Sequence, residues 1–273
     1  MDNISLAAFN GKPVDVPVID AHCHILPYRL NGWYQAFDKT SDIVSHLDDL
    51  GIDCIVTAPH SLISGTMEQT NGEALKAATD FQGRIYCYIS ILPHEGLDEV
   101  KRQIDKYSKN PVFIGFKFLP GYHGSLLQQE YDYALDFANE VNCPVLCHTW
   151  GNNPPIDEFR QQMKKRPHTK FLVAHQGGGL AECTDRLILL MKEYETVNME
   201  LCGSLTNSYS VEEIISMIGD GRLVYGSDLI NLDPRYDFGK VVFSPIDYEV
   251  KKKVLAENYL EMLQNSQMGK III

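Results

Sequence analysis

The chain lacks any apolar run of the eighteen or more residues that a membrane-spanning helix needs, so no membrane segment is expected. Its start, Met1-Asp2-Asn3-Ile4-Ser5-Leu6, has neither a basic region nor a long apolar stretch, so no secretory leader is expected. Basic residues are in deficit: 24 Lys plus Arg face 36 Asp plus Glu, for a formal net charge of −12. That balance argues against nucleic acid or an anionic membrane surface as main partner. A locally positive pocket for an anionic small molecule stays open. Paired CxxC spacing is also missing. Seven scattered cysteines, with Cys54, Cys87, Cys143, Cys147 and Cys202 in or beside apolar runs, predict reduced, buried thiols and a cytoplasmic protein. No repeats, low-complexity tracts or long Pro/Gly/Ser linkers divide the chain, which predicts one domain over residues 1–273. Gly177-Gly178-Gly179 lacks the GxxxxGK[ST] pattern of a phosphate loop and reads as a tight turn.

What is present is an alternation of short apolar runs with amphipathic segments. Strands are expected at 16–21, 54–58, 85–91, 113–118, 144–148, 171–175, 196–201 and 223–227. Helices are expected at 41–50, 68–81, 97–108, 130–141, 157–166, 180–193, 211–219 and 247–263. Ser41 and Ser210 read as helix starts, the latter with Glu213 three residues on. Gly51, Gly83 and Gly219 read as helix ends. Eight βα units and a length near the typical ~250 residues predict a closed α/β fold, the (β/α)8 TIM barrel. The irregular segments after strand ends, such as 24–40, 59–67, 120–129, 202–210 and 229–245, would shape a pocket.

The chemistry-bearing residues sit at strand ends. Val18-Ile19-Asp20-Ala21-His22-Cys23-His24, Pro144-Val145-Leu146-Cys147-His148, Phe171-Leu172-Val173-Ala174-His175 and Leu223-Val224-Tyr225-Gly226-Ser227-Asp228 each finish an apolar run on a metal-type side chain. In a barrel the C-terminal strand ends converge on one face, so distant residues meet there. His22 and His24, two apart, would share a strand face and chelate. Several imidazoles and a carboxylate suit Zn²⁺ or a similar divalent ion.

These motifs, together with His148-Thr149, His175-Gln176-Gly177-Gly178 and Glu257-Asn258-Tyr259, resemble the amidohydrolase superfamily. Within it the likeness is to the amidohydrolase-related group, which includes nonoxidative decarboxylases and lactone hydrolases. The resemblance spans Val18 to about Leu263. It implies that His22, His24 and His148 hold a divalent metal, probed first as zinc. Asp228 would be a ligand, a base for metal-activated water, or both in turn. His175 would bind a second metal or face the substrate.

Lys117, near the end of Phe113-Ile114-Gly115-Phe116-Lys117-Phe118, has three readings. It is similar to the carboxylated lysine that bridges two metals in phosphotriesterase-like members. It also reads as a cation for a substrate carboxylate or phosphate, or as half of a structural ion pair. A buried lysine is unfavourable while charged, which favours a carbamate or a nearby anion. Tyr122, His123, Trp150 and Arg235 are candidate substrate contacts, each with a packing or solvent-facing alternative. His60 lies on the active face by position. Glu200 would orient a metal-bound histidine or pair with a base. Trp33 falls in an active-face loop, whereas His46, His94 and His168 read as structural or surface residues.

The expected function is metal-dependent hydrolysis of an ester, lactone or amide bond of a small molecule. Nonoxidative decarboxylation of a small carboxylic acid is the alternative, and a ligand-binding barrel without turnover is a third class. One fold hosts both reactions. The resemblance also favours a homodimer.

Overall fold

The computed structural model describes residues 1–25, 37, 39–151 and 154–273. After a short helix α1 (Asn3–Phe9) the chain alternates strand and helix: β1 (Ile19–Cys23), α2 (Thr40–Leu50), β2 (Cys54–Thr57), α3 (Met67–Asp80), β3 (Ile85–Ser90) and α4 (Leu97–Tyr107). It continues with β4 (Phe113–Phe118), α5 (Gln129–Val141), β5 (Pro144–Cys147), α6 (Ile156–Lys165), β6 (Lys170–Val173) and α7 (Ala181–Glu193). Then come β7 (Val197–Glu200), α8 (Ser208–Ile218), β8 (Leu223–Val224), α9 (Pro234–Val242), α10 (Tyr248–Lys252) and α11 (Asn258–Leu263). The eight strands pair in sequence order, all parallel. Hydrogen bonds from Ala21 N to Tyr225 O (3.1 Å) and from Asp228 N to His22 O (2.8 Å) bring the last strand back to the first. This is the (β/α)8 barrel expected from the alternation.

The strands are apolar because both faces are covered. One set of residues, such as Ile55, Phe116, Val145 and Phe171, packs outward against the helices. The other, including Ile19, Ala21, Val56, Tyr88, Ile114 and Leu172, fills the barrel interior. Tyr259, Met262 and Leu263 of α11 join that inner cluster, and Lys170, which opens β6, donates to Met262 O at 2.8 Å. The C-terminal helix therefore closes the end opposite the strand C-termini. It is continuous with α10 through a π turn at Lys253–Glu257, and Val254 O accepts from Tyr225 N (2.9 Å).

Two irregularities in strand register position the site. Between Asp20 and Cys23, β1 carries one residue more than the matching stretch of β2. Ile19 and Ala21 face the interior, and strict alternation would send His22 and His24 to the helix side. The extra residue resets the parity, leaving Cys23 in the outer core. The same device occurs in β4, where one extra residue beside Cys87/Tyr88 allows both Ile114 and Lys117 to be inward.

Several boundaries differ from the sequence reading. The helix start expected at Ser210 lies at Asn207, whose side chain caps Ser210 N in a capping box with Ser210 at the third helical position. The segment 229–245, expected to be irregular, contains α9, opened by Asp233 as N-cap and Pro234. Helix α1 was not anticipated. Gly51, with φ of 72°, ends α2 as expected. None of the seven cysteines is in a disulfide, and all are buried. Among the described residues no helix is long and apolar enough to cross a membrane.

Candidate active site

His22 sits at the C-terminal end of β1 with its ring fully buried. Its Nδ1 lies 3.1 Å from Glu200 Oε2 at the end of β7. A carboxylate only accepts, so Nδ1 carries the proton and Nε2 holds a lone pair. That Nε2 lies 2.7 Å from Lys117 Nζ and 3.6 Å from Asp228 Oδ1. His24 is fixed likewise: its Nδ1 lies 2.7 Å from the carbonyl of Ala58, so the neutral ring also bears its lone pair on Nε2. That atom is 3.1 Å from Asp228 Oδ1. Three acceptors thus converge on one point, a grouping that positive charge among them would stabilise. His22, His24 and Asp228 offer donor atoms within 4.8 Å of one another, which suits a divalent ion.

Asp228 follows β8 in the left-handed region, with φ of 56°. Its main chain is tied down by its own N–H donating to His22 O and by Asn231 N donating to its carbonyl (2.8 Å each), and the Asn231 side-chain amide donates to its Oδ1 at 3.1 Å. Such backbone strain costs about 1–3 kcal/mol and persists where the surroundings over-determine it. Burial alone would raise the Asp228 carboxyl, but any positive charge on the surrounding imidazoles, His24 first and then His22 and His175, draws it well below the usual carboxylate range.

His148 and His175 form a second pair, with His175 Nε2 3.1 Å from His148 Nδ1. The structure brings His148 beside His175 rather than into the His22–His24–Asp228 cluster. His148 Nε2 is buried with no hydrogen-bond partner among the described residues. Burial, then the neighbouring ring, holds His148 well below the ordinary histidine value. Burial pushes His175 down to about 4, so both rings are neutral at pH 7. His175 itself adopts φ of 55°, and its backbone N–H donates to Glu200 Oε2 at 3.1 Å.

Lys117 is 1% exposed and its amine rests on His22. Burial lowers it to about 8, opposed by the carboxylates of Asp228 and Glu200. Among the described residues it makes no ion pair within 4 Å, so the structural ion pair is not the arrangement found. Among the described residues Glu200 is likewise not paired with a lysine or arginine; it accepts from His22.

Around this centre, Trp150 and Tyr122 stand half-exposed, their rings 5.4 Å from His175 and 5.3 Å from His148. His60 is buried, 4.8 Å ring to ring from His24. His123 contacts Ile63 O and the ring of His94 instead. Arg235 is exposed and forks onto its neighbour Asp233. With Ile230 and Asn231 it lines a cavity of about 420 Å³ beside the Asp228 loop. His94 and His168 are exposed, and His46 lies 3.9 Å from Asp233. Trp33 lies outside the described residues. Two site residues escaped the sequence reading: Asn231, which steadies Asp228, and Cys202, which touches His175 and Glu200. Neither carries a motif; each is legible only from contacts.

A parallel barrel with such a cluster at its strand ends is an enzyme architecture, with the site where the strand C-termini converge. The chain belongs to the amidohydrolase superfamily: the family described as Amidohydrolase matches residues 19–263. No curated protein matches the chain. Among solved structures it is similar to 2,6-dihydroxybenzoate decarboxylase from Rhizobium, at 11% identity over 91% of this chain and 99% of that one, TM-score 0.72. It is also similar to a dihydroxybenzoic acid decarboxylase from a Polaromonas species, solved with manganese and the inhibitor 2-nitroresorcinol (13% identity, 91% and 97% covered, TM-score 0.65). A third is described as a probable 2-pyrone-4,6-dicarboxylic acid hydrolase from Acinetobacter baumannii with citric acid bound (17% identity, 90% and 98% covered, TM-score 0.64). At these identities the likeness is one of fold.

Proposed function

We propose that this protein hydrolyses an ester, lactone or amide bond of a small molecule with the aid of a divalent metal ion. The observation that carries the reading is the convergence of His22 Nε2, His24 Nε2 and Asp228 Oδ1 at the barrel mouth. These three residues would hold the ion. His148 and His175 flank it and, with Lys117 as a carbamate, would hold a second. A divalent ion there supplies Lewis acidity, polarising a carbonyl and making water acidic enough to be deprotonated near neutral pH. Asp228, kept ionised, accepts the proton of the water that attacks the carbonyl carbon, and then delivers it to the leaving oxygen or nitrogen. Glu200 fixes the His22 tautomer. As an ammonium, Lys117 would instead neutralise a substrate carboxylate. Trp150 and Tyr122 wall the mouth. Zinc is the ion we would test first, and manganese second, given its presence in a similarly folded decarboxylase. The buried, reduced cysteines favour the cytoplasm.

A specific feature favours a second reading, nonoxidative decarboxylation. The His148–His175 pair, neutral at rest, can take up a proton from water and pass it to the carbon that loses CO2. Two of the three similar folds named above are decarboxylases. The discriminating experiment incubates the metal-loaded protein with lactone, ester and amide panels and with aromatic and muconate acids. Release of one acid equivalent per turnover without CO2 supports hydrolysis. CO2 release from the acids replaces it with decarboxylation, and neither product from stoichiometrically loaded protein removes both.

A further inference from the structure

Cys202 follows β7 and, from sequence, reads as one more inert core thiol. The structure gives it a more particular place. It is fully buried, with Sγ 2.9 Å from His175 Nδ1 and 3.0 Å from Glu200 Oε2. Its backbone N–H donates to Glu200 Oε1 at 2.6 Å. Glu200 is thereby saturated: Oε2 takes His22 Nδ1, the N–H of His175 and the thiol, while Oε1 takes Cys202 N. With these four donors aimed at one carboxylate, the cluster forms a hydrogen-bonded frame. The frame is stiff on its far side too. Gly203 N donates to Asp237 Oδ1 (3.2 Å), and the buried Lys240 ammonium donates to Gly203 O and to Asp237 Oδ1 (2.7 Å).

The direction of the thiol proton follows from acceptor strength. A carboxylate is a much stronger acceptor than a neutral ring nitrogen, so S–H points at Glu200. The sulfur is then left as an acceptor toward His175 Nδ1, which must carry the ring proton. His175 Nε2, the atom facing His148, is left with the lone pair. We propose that Cys202 is a positioning residue: relayed from Glu200, it holds His175 in the Nδ1–H tautomer and presents the Nε2 lone pair to the pocket. The role rests on His175 being part of the site, and it is the same whether Nε2 meets a metal, His148 or a substrate proton.

The test reads the tautomer directly and needs no turnover, so it stands or falls apart from the reaction assignment. Full-length protein labelled with ¹⁵N-histidine is examined by two-bond proton–nitrogen correlation spectra, with H175Q assigning the ring. Spectra are taken before and after chelation. The chelated form discriminates, because a metal on Nε2 would itself keep the proton on Nδ1. The expected result is a protonated Nδ1 and a lone-pair Nε2 for His175 in the wild type. C202A, checked for folding by thermal melt, should lose the Nδ1 proton signature to an average of both tautomers, and C202S should retain it. A proton on Nε2 in the chelated wild type overturns the proposal without any variant, and so does an unchanged tautomer in folded, chelated C202A.

Discussion

The Nε2 atom of His24 and the Oδ1 atom of Asp228 face each other at 3.1 Å although the carbonyl of Ala58 has already claimed the ring's other nitrogen. Two acceptors in that position ask for a cation between them. Chelation should therefore lower the melting temperature, and added zinc or manganese should restore it. With free metal at about a hundred times its dissociation constant, the linkage is worth about 2.7 kcal/mol. The H22A/H24A double variant should purify without stoichiometric metal and show no such response. Elemental analysis and thermal melts check both, and retained stoichiometric metal in the double variant would refute the site.

Asp228→Asn keeps the shape and the contact with Asn231 but removes the base. Turnover should fall by about 10²–10⁴ while most of the metal stays bound. Steady-state kinetics alongside metal analysis measure this. Unchanged kcat would take Asp228 out of the chemistry.

Gly226 separates the two halves of the frame. A Cβ there would come 2.4 Å from Glu200 Oε1 and 2.8 Å from His22 Cβ. Gly226→Ala should cost about 1–3 kcal/mol in stability through overpacking. By displacing Glu200 it should also weaken metal binding about tenfold or more. Denaturant melts and a metal titration report the two effects separately.

Away from the metal-type cluster Lys251, 2% exposed in its side chain, pairs with Asp2 at 2.6 Å and also donates to Ser5 Oγ and Val242 O. Asp2 thereby pins α1 to α10. Burial works against ionisation of Asp2, but the bonds from Lys251 and Ser5 leave its carboxyl below the ordinary value. A carboxyl lowered on folding stabilises above its unfolded pKa, about 3.9, and that contribution is lost as pH falls through the folded value. Asp2→Asn should therefore destabilise the protein at pH 7, because it leaves the buried Lys251 ammonium without its counter-charge. The gap from wild type should shrink as pH drops from about 5 to about 2. Urea melts across that range would show it, and a gap independent of pH would remove the ion pair from the account.

Much of this was legible in the chain. Short apolar runs separated by amphipathic segments announce a parallel sheet, because strands buried on both faces do not alternate. Histidines and an aspartate at the ends of those runs announce the site, because barrel topology gathers strand ends. Boundaries were less legible. Ser210 looked like a cap because serine is a favoured cap residue and Glu213 stands three residues on, whereas in the structure the Asn207 side chain takes that role and accepts from Ser210 N.

The sequence by itself determined the alternation of strands and helices, the barrel and the identity of the residues at the strand ends, since these follow from local periodicity and from the rule that parallel strands end together. Tertiary structure decided which way those residues point. Regular alternation would have turned His22 and His24 outward, and it is the register irregularities of β1 and β4 that bring His22, His24 and Lys117 into the barrel. It also decided the pairings: His148 with His175, Glu200 with His22, and Cys202 between Glu200 and His175. Register, tautomer and hydrogen-bond partner depend on atoms contributed from strands far apart in sequence, so no local pattern in the chain encodes them.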